Sequence, residues 1–561
     1  MPPTRDQPDQ PPAAVNPTAG AGVDERTGGA FAAAVRVVSG LTLVSRFAGL
    51  ARETLVARVL GDSAIGSAFA AAFLIPNLFR RLFGEGALSA AFIPEYVRLL
   101  RDDPPQASRL ASAVLATLGV VTLGLVALAE IVLGAVLLAG TPSDDARTSI
   151  ALTMVMLPLM PMVCGTAILG GMLQAHGRYA PPAAAPIILN LFMIAACLVS
   201  FLVPDAGRAW TAHAVAWGAV ASGVAQLAWS LAALRGRTRW TTRLAGVRPA
   251  ARTVLTRFMP VVVGMGALQL STLGDALIAM WPTWIGPTMF GRPVPLDGAS
   301  NIILSTASRF YQFPLGVFGI AVATAVFPLL ARAAHDGPNF ASVLHRGLRV
   351  AMFIGLPASV GLVLVADDLT NVLLAGGEHA FSREGVARAT AVLIGFAPAV
   401  WAYSLNNVLT RAFYARGDTA TPMRVSIAVV VLNVGLNLAL IWPLREAGLA
   451  WATTIGACVQ FAALAWLCSR HLGIDAVDPG VLRGFLGIAA STAAMAAAVL
   501  TAKALLPSPE GWWDHVIGAG VSVAVGGAVF AAAAIALKRP EITWLTQRGP
   551  AGGVGAVMAE G

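Results

Sequence analysis

Charge is what this 561-residue chain has least of: Asp, Glu, Lys and Arg together make up 12% of it. Soluble domains carry about a quarter, so a water-exposed globule of this length is excluded. Lysine is nearly absent, at Lys503 and Lys538 alone, and arginine supplies 36 of the 38 basic residues. The net charge of +9 is thus an arginine excess. Most of it lies between apolar stretches, where membrane topology accounts for it, so nucleic acid is not an expected partner. The four cysteines, Cys164, Cys197, Cys458 and Cys468, lie in apolar stretches without a CxxC pair. They suggest neither a zinc site nor a disulfide framework. Also missing are a Walker sequence, an HExxH pair and an acid cluster fit for magnesium, and the seven histidines fall mostly in loops. An enzyme or a self-contained ATP-driven pump is not expected.

What remains is apolar: 57% of residues are hydrophobic and mean hydropathy is +0.73. At ~20 residues per crossing, this supplies a polytopic membrane protein. Fourteen apolar segments are expected near 31–60, 64–98, 109–139, 148–174, 182–203, 209–234, 254–285, 301–332, 341–365, 386–412, 423–443, 447–469, 482–505 and 514–537. Residues 1–30 and 545–561, rich in Pro, Ala and Gly, are expected to be disordered tails. No apolar core with a cleavage site opens the chain, so the first tail is not a secretory signal. The connection after the sixth segment carries Arg235, Arg237, Arg239, Arg243, Arg248, Arg252 and Arg257 with no acid among them. Alternate connections hold Asp144, Asp145, Asp205, Asp367 and Asp368. The positive-inside rule places both termini in the cytoplasm.

The chain also repeats itself. GALSAAFIPEYVRLLRDDPP at 86–105 aligns with IAVATAVFPLLARAAHDGPN at 320–339, pairing Pro94 with Pro328, Arg98 with Arg332, Asp102 with Asp336 and Pro104 with Pro338. Pro158 then pairs with Pro398, Gly177 with Gly417, Trp217 with Trp451 and Gln226 with Gln460. Three ordered blocks across six segments give two six-helix halves, and an even number makes the repeats parallel, with a cavity expected at their interface. The expected division is a tail at 1–30, an N-terminal lobe at 31–235, a basic cytoplasmic linker at 236–253, a C-terminal lobe at 254–470, two further helices at 482–537 and a tail at 545–561. The fold class is therefore all-α, with fourteen transmembrane helices.

Ionisable groups inside such helices are costly and mark aqueous paths. Arg46 and Glu53 are seven apart in the first segment and share a face, whereas Arg52 is expected to point elsewhere. In the second, Pro76 is expected to break the helix, Arg81 and Glu85 have pair spacing, and Arg80 has no local partner. Arg309 in the eighth has no acid within a turn. Arg58, Arg81 and Arg98 are read as interface or helix-end residues. Arg46, Arg52, Arg80 and Arg309 outnumber the neighbouring acids, and clustered guanidinium groups call for an anion such as phosphate. In the C-terminal half, Asp275, the i,i+4 pair Asn433 and Asn437, and Thr453 offer oxygen ligands suited to sodium. Interhelical hydrogen bonding would use the same residue types.

SRFAGLARETLVARVLG at 45–61, IPNLFRRLFGEGALSAAFIP at 75–94, SRFYQFPLGVFGIAVATAVFP at 308–328 and FYARGDTATP at 413–422 closely resemble the lipid II flippases (MurJ/MviN) of the MOP exporter superfamily. The resemblance covers about residues 35–540. It implies alternating access in a bacterial cytoplasmic membrane and a cargo of undecaprenyl-diphosphate-linked disaccharide-pentapeptide. Arg46, Arg52, Arg80 and Arg309 would hold the diphosphate, with Glu85 a sensitive acid beside them. The last two helices would form a lipid-tail groove. Sodium or proton coupling, contact with membrane lipids and with the cell-wall synthesis machinery belong to the same expectation. Ser67 and Ser308 stand where family members carry acids, which makes a more cationic cavity, and Asn437 stands where some have Asp. The alternative reading is another MOP-type exporter, moving a polyprenyl-linked polysaccharide or exchanging drugs for cations; a non-transporting scaffold for wall synthesis is the third.

Overall fold

Proline, glycine and short acids set the helix boundaries in the computed structural model, which describes residues 21–84, 87–203, 207–242 and 247–546. The N-terminal half contains α1 (Ala21–Leu60), α2 (Ala64–Gly84), α3 (Ala87–Asp102), α4 (Pro104–Ala139), α5 (Asp144–Met156), α6 (Leu159–Ala175), α7 (Ala180–Ser200) and α8 (Arg208–Ala233). Then come α9 (Arg248–Ala279), α10 (Trp281–Trp284) and a two-stranded hairpin of β1 (Thr288–Met289) and β2 (Arg292–Pro293). α11 (Ser300–Pro314) passes through a π turn at Leu315–Gly319 into α12 (Ile320–Arg332). The rest is α13 (Gly337–Leu374), α14 (Arg383–Phe396), α15 (Ala399–Ala415), α16 (Ala420–Leu444), α17 (Glu446–Leu467), α18 (Pro479–Leu505), α19 (Trp512–Ala536) and the short α20 (Pro540–Thr546).

Each of the fourteen apolar segments falls on a helix or a pair of helices, but ten stretches among the described residues are by themselves long and apolar enough to span a membrane. Segments 31–60, 64–98, 254–285 and 301–332 lie outside those ten. They hold the intrahelical arginines and Asp275, and α11 is parted from α12 by a π turn following Pro314, a device that recurs at functional sites. α2 runs through Pro76 without interruption, contrary to the expected break. The protein is an all-α, multi-pass membrane protein.

Matched positions of the repeat make matched structures. Pro158 and Pro398 sit at the N-caps of α6 and α15. Gly177 and Gly417 take φ of 72° and 80°, where only glycine turns at little cost. Each closes a helix with the same 6→1 bond, Arg178 N to Leu173 O at 2.8 Å and Asp418 N to Phe413 O at 3.0 Å. Asp103 caps α4 and Asp336 caps α13 through bonds to the third residue on. The capping acid is thus Asp103, one place beyond the Asp102 that the alignment pairs with Asp336.

Packing follows the halves with one exchange. Phe92, Leu110 and Leu169 form one core of the first half, and Phe69, Leu152 and Val215 another. Phe310, Phe396 and Leu449, then Phe340, Leu348 and Leu409, do so in the second. Val247, Ala250 and Val254 of the α9 start pack in the first half, while Ala57 of α1 packs in the second. The stretch expected as a linker at 236–253 is therefore helical from Arg248, because Val247, Ala250 and Val254 make an apolar stripe at helical spacing. At the chain ends, α1 already begins at Ala21, and α20 lies past the last long helix. Glu541 of α20 is fully buried between Arg349 and Arg539. The end of the bundle that carries the arginine-rich connection 235–242 is called proximal below, and the opposite end, with the α1–α2 turn, distal.

A cationic cavity as the candidate functional site

Between the two halves lies a cavity of about 660 Å³ whose wall includes Arg46 and Arg52 of α1, Arg80 of α2 and Arg309 of α11. The four arginines singled out from the sequence, scattered over 264 positions, are brought to one space. Glu53 is the acid on this wall among the described residues. Glu85 lies outside the described residues.

Specific contacts hold Arg52, Arg80 and Arg309. Arg52, buried, donates through Nη1 to Asn190 Oδ1 of α7 at 3.1 Å and pairs with Glu53. Its plane also lies 5.3 Å from the Phe73 ring. The expectation that Arg52 points away from Arg46 and Glu53 is therefore corrected: the arginine stem is long enough to swing round the helix, and Asn190 holds it there. Asn190 in turn donates to the Ser45 carbonyl of α1 at 3.1 Å. Arg80, expected to lack a local partner, donates to Asn77 Oδ1 one turn back at 3.0 Å. Arg309 lies 3.3 Å from Glu53 across the two halves, so its acid comes from α1. Arg46 reaches the π turn and lies against Gly316, where any Cβ would collide with its Nη1.

Sequence reasoning missed the neutral amides. Asn77, Gln174, Asn190, Gln226 and Gln312 all line the cavity. The wall reaches Gln174 and Pro182, at the proximal ends of α6 and α7. The distal end is closed by bonds between the halves. Asn301 Nδ2 donates to Ser67 O at 2.9 Å, and Ile302 N to Ser67 Oγ at 3.0 Å. Ser382 N donates to Asp62 Oδ1 at 3.1 Å. Ser67, where the resemblance leads one to expect an acid, thus works as an acceptor and backbone anchor in the seam. Ser308 bonds back to Ser305 O at 2.7 Å.

A second cavity of about 210 Å³ shares Asn77, Arg309 and Gln312 with the first, and its wall carries Asp275, Asn433, Thr453 and Arg81. Asn437 donates to Asp275 Oδ1 at 2.6 Å and to Asn433 Oδ1 at 3.2 Å. Ser271, one turn before Asp275 and unforeseen, donates to Asn433 Oδ1 at 3.2 Å. Thr453 bonds back to Leu449 O, so it lines the space without joining the cluster. Asn437 is fully buried and its Oδ1 has no partner. An orphaned buried carbonyl beside a carboxylate is the donor set a small cation would satisfy, and on that ground the residues fit sodium.

The family model described as lipid II flippase MurJ matches residues 56–512. A probable lipid II flippase MurJ of Rhizobium tropici is 31% identical over 494 residues, covering 86% of this chain and 88% of that protein. The lipid II flippase MurJ of Burkholderia cenocepacia is 31% identical over 485 residues, 82% and 88% of the two chains. Among solved structures, a lipid II flippase MurJ in an inward closed conformation superposes with a TM-score of 0.74 at 21% identity, covering 90% of this chain and 99% of that one. An inward-facing multidrug MATE transporter of the MOP superfamily follows with a TM-score of 0.62 at 13% identity, covering 78% and 98%. With the family model matching most of its length and relatives above 30% identity covering four-fifths of it, the chain belongs to the lipid II flippase MurJ family.

Proposed function

We propose that the chain carries lipid II across the bacterial cytoplasmic membrane by alternating access, as a transporter and not an enzyme. The observation that carries this reading is the meeting of four guanidinium groups and one carboxylate in one cavity between the halves. Arg46, Arg52, Arg80 and Arg309 bind the diphosphate, which arginine recognises bidentately. Asn77, Asn190 and Gln312 orient the cationic groups or meet the sugars. Glu85 acts beside them, as the family resemblance implies. The proximal end, rich in arginine, faces the cytoplasm with both termini, so the cavity admits the headgroup from that side while the distal seam is shut. Parting of the seam then releases it outward. The apolar pair α18–α19 guides the lipid tail.

Asp275, Asn433 and Asn437, with Thr453 on the same wall, bind the coupling ion, sodium or a proton. The ion neutralises Asp275 beside the arginine cavity and offsets the charge of the anionic headgroup, and the membrane potential contributes about 2.3 kcal/mol per elementary charge per 100 mV. A drug and cation exchanger of the same fold is the rival reading, and a cavity dominated by arginine disfavours cationic drugs.

The test is replacement of a host's own flippase. Expression of the chain after depletion restores growth and surface exposure of lipid II, and Arg52→Ala and Arg309→Ala abolish both. Rescue by the two mutants refutes the arginine site. Failure of the well-expressed wild type points to another cargo.

A further inference from the structure

Four side chains from three helices converge on the end of α13, residues 368–373. From α1, Arg58 donates through Nε to Leu373 O at 3.0 Å and through Nη2 to Val372 O at 2.5 Å. From α19, Trp512 donates its indole N–H to the same Val372 carbonyl at 3.0 Å, and His515 Nδ1 lies 3.0 Å from Asp368 Oδ1. From α18, Lys503 Nζ meets Asp368 Oδ2 at 2.6 Å and donates to Leu364 O at 2.7 Å. Asp368 and Val372 are one turn apart and share a face.

The chemistry of a helix end explains the convergence. The last carbonyls of a helix have no partner within it. Those flanking this pair are served locally, Asn371 O by Ala375 N and Leu374 O by Phe381 N. Val372 O and Leu373 O are served from outside, by Arg58 and Trp512. A guanidinium there also meets the negative end of the helix dipole. Arg58 is thus a helix-end arginine, as its sequence suggests, but the helix it caps belongs to the other half. Lys503 occupies Asp368, so this cluster is a charged joint and not a metal site.

We propose that the α13 terminus is a joint coupling the distal seam to the α18–α19 pair, with Arg58 and Trp512 as positioning residues for transport. Because both donors hold one carbonyl, the turn cannot leave Arg58 without altering its seat against α19. Parting of the lobes therefore frees the tail-guiding helices at the moment the headgroup is released. The proposal rests on the alternating-access reading above.

Ala57, 1% exposed and packed in the second half, reports the seam when replaced by cysteine. The Ala57→Cys protein is reconstituted in full-length form into liposomes and treated from the distal side with a membrane-impermeant maleimide. Arg58→Ala raises the labelling rate at least fivefold, Trp512→Phe raises it in the same direction, and the double variant exceeds the stronger single variant by less than the product of the two. Arg58→Lys returns most of the protection, which separates the joint from misfolding. Labelling in Arg58→Ala that Trp512→Phe leaves at the parent rate, or effects that multiply, overturn the joint alone. No labelling in any variant, with lipid II present, overturns both the joint and the opening of the seam.

Discussion

Glu53 of α1 lies 3.3 Å from Arg309 of α11 while pairing with its neighbour Arg52, so one carboxylate bridges the halves and occupies two of the four cavity cations. A diphosphate entering the cavity competes with that carboxylate for the same donors. Glu53→Gln therefore frees both guanidinium groups for the headgroup. Hydrogen bonds to charged groups are worth about 1.5–3 kcal/mol, so lipid II binding to the purified protein tightens by about tenfold. Release slows, and flipping in liposomes falls. Weaker binding by Glu53→Gln would show that Glu53 positions Arg52 and does not compete with the cargo.

Asn190 is the hydrogen-bond acceptor that ties Arg52 to α7, alongside the ring of Phe73 in α2. Asn190→Ala leaves the guanidinium without that acceptor and removes the side-chain donor that the Ser45 carbonyl takes from α7. A loss of about 1–3 kcal/mol is expected from an unsatisfied buried group. Lipid II exposure on cells falls tenfold or more at unchanged membrane abundance. Activity within twofold of wild type would remove Asn190 from the site.

The arginines were legible because a charge inside an apolar run has no cheap structural explanation. Asn190, Asn77 and Gln174 were not, since neutral amides in helices also serve interhelical bonding and carry no spacing signal. The repeat was legible through Pro158 and Pro398, whose backbone limits allow few positions. The partners of Arg58 and Arg309 were hidden because they come from sequence separations of 315 and 256 residues, which no local pattern encodes. Segment 254–285 reads as the start of the second half because the repeat divides the chain into two sets of six segments. Only packing reveals that Val247 and Val254 belong to the first.

Gly316 makes room for Arg46. Gly316→Ala places a Cβ against the Arg46 guanidinium and pushes it off the cavity wall, while the π turn itself tolerates alanine. Transport should drop at least fivefold, with thermal stability of the purified protein nearly unchanged. The double change Gly316→Ala with Arg46→Ala should be no worse than Arg46→Ala alone, since both act through one side chain. Independent, multiplying losses would place the effect of Gly316 elsewhere.

Asn437 faces Asp275 at 2.6 Å and has a free carbonyl. Asn437→Asp adds a second anionic oxygen to the cluster and strengthens its demand for a cation. Sodium should then raise the melting temperature of the purified protein more than it does in wild type, and Asn437→Leu should abolish the rise. A sodium effect that survives Asn437→Leu would move the cation to another site, and a pH effect in place of a sodium effect would identify a proton.

On the proximal face, Tyr96 of α3 meets His176 Nε2 at 3.0 Å and Thr238 Oγ1 at 3.4 Å, tying the end of α6 to the connection that follows α8. Partial burial pushes the His176 pKa down, and the nearby Arg237 lowers it further. The folded state thus prefers the neutral ring, whose Nε2 is paired with the Tyr96 hydroxyl. Above the unfolded value near 6.5 the ring is neutral in both states and the contact is intact. As pH falls through that value, the unfolded chain takes up a proton first and stability declines until the folded ring is also charged. Hydrogen-exchange protection across 235–242, corrected for the intrinsic pH dependence of amide exchange, should therefore fall between about pH 6.5 and 5, and His176→Gln, which carries no titrating group, should flatten the profile. Corrected protection that rises on acidification, or an identical profile in His176→Gln, would assign the pH response to another group.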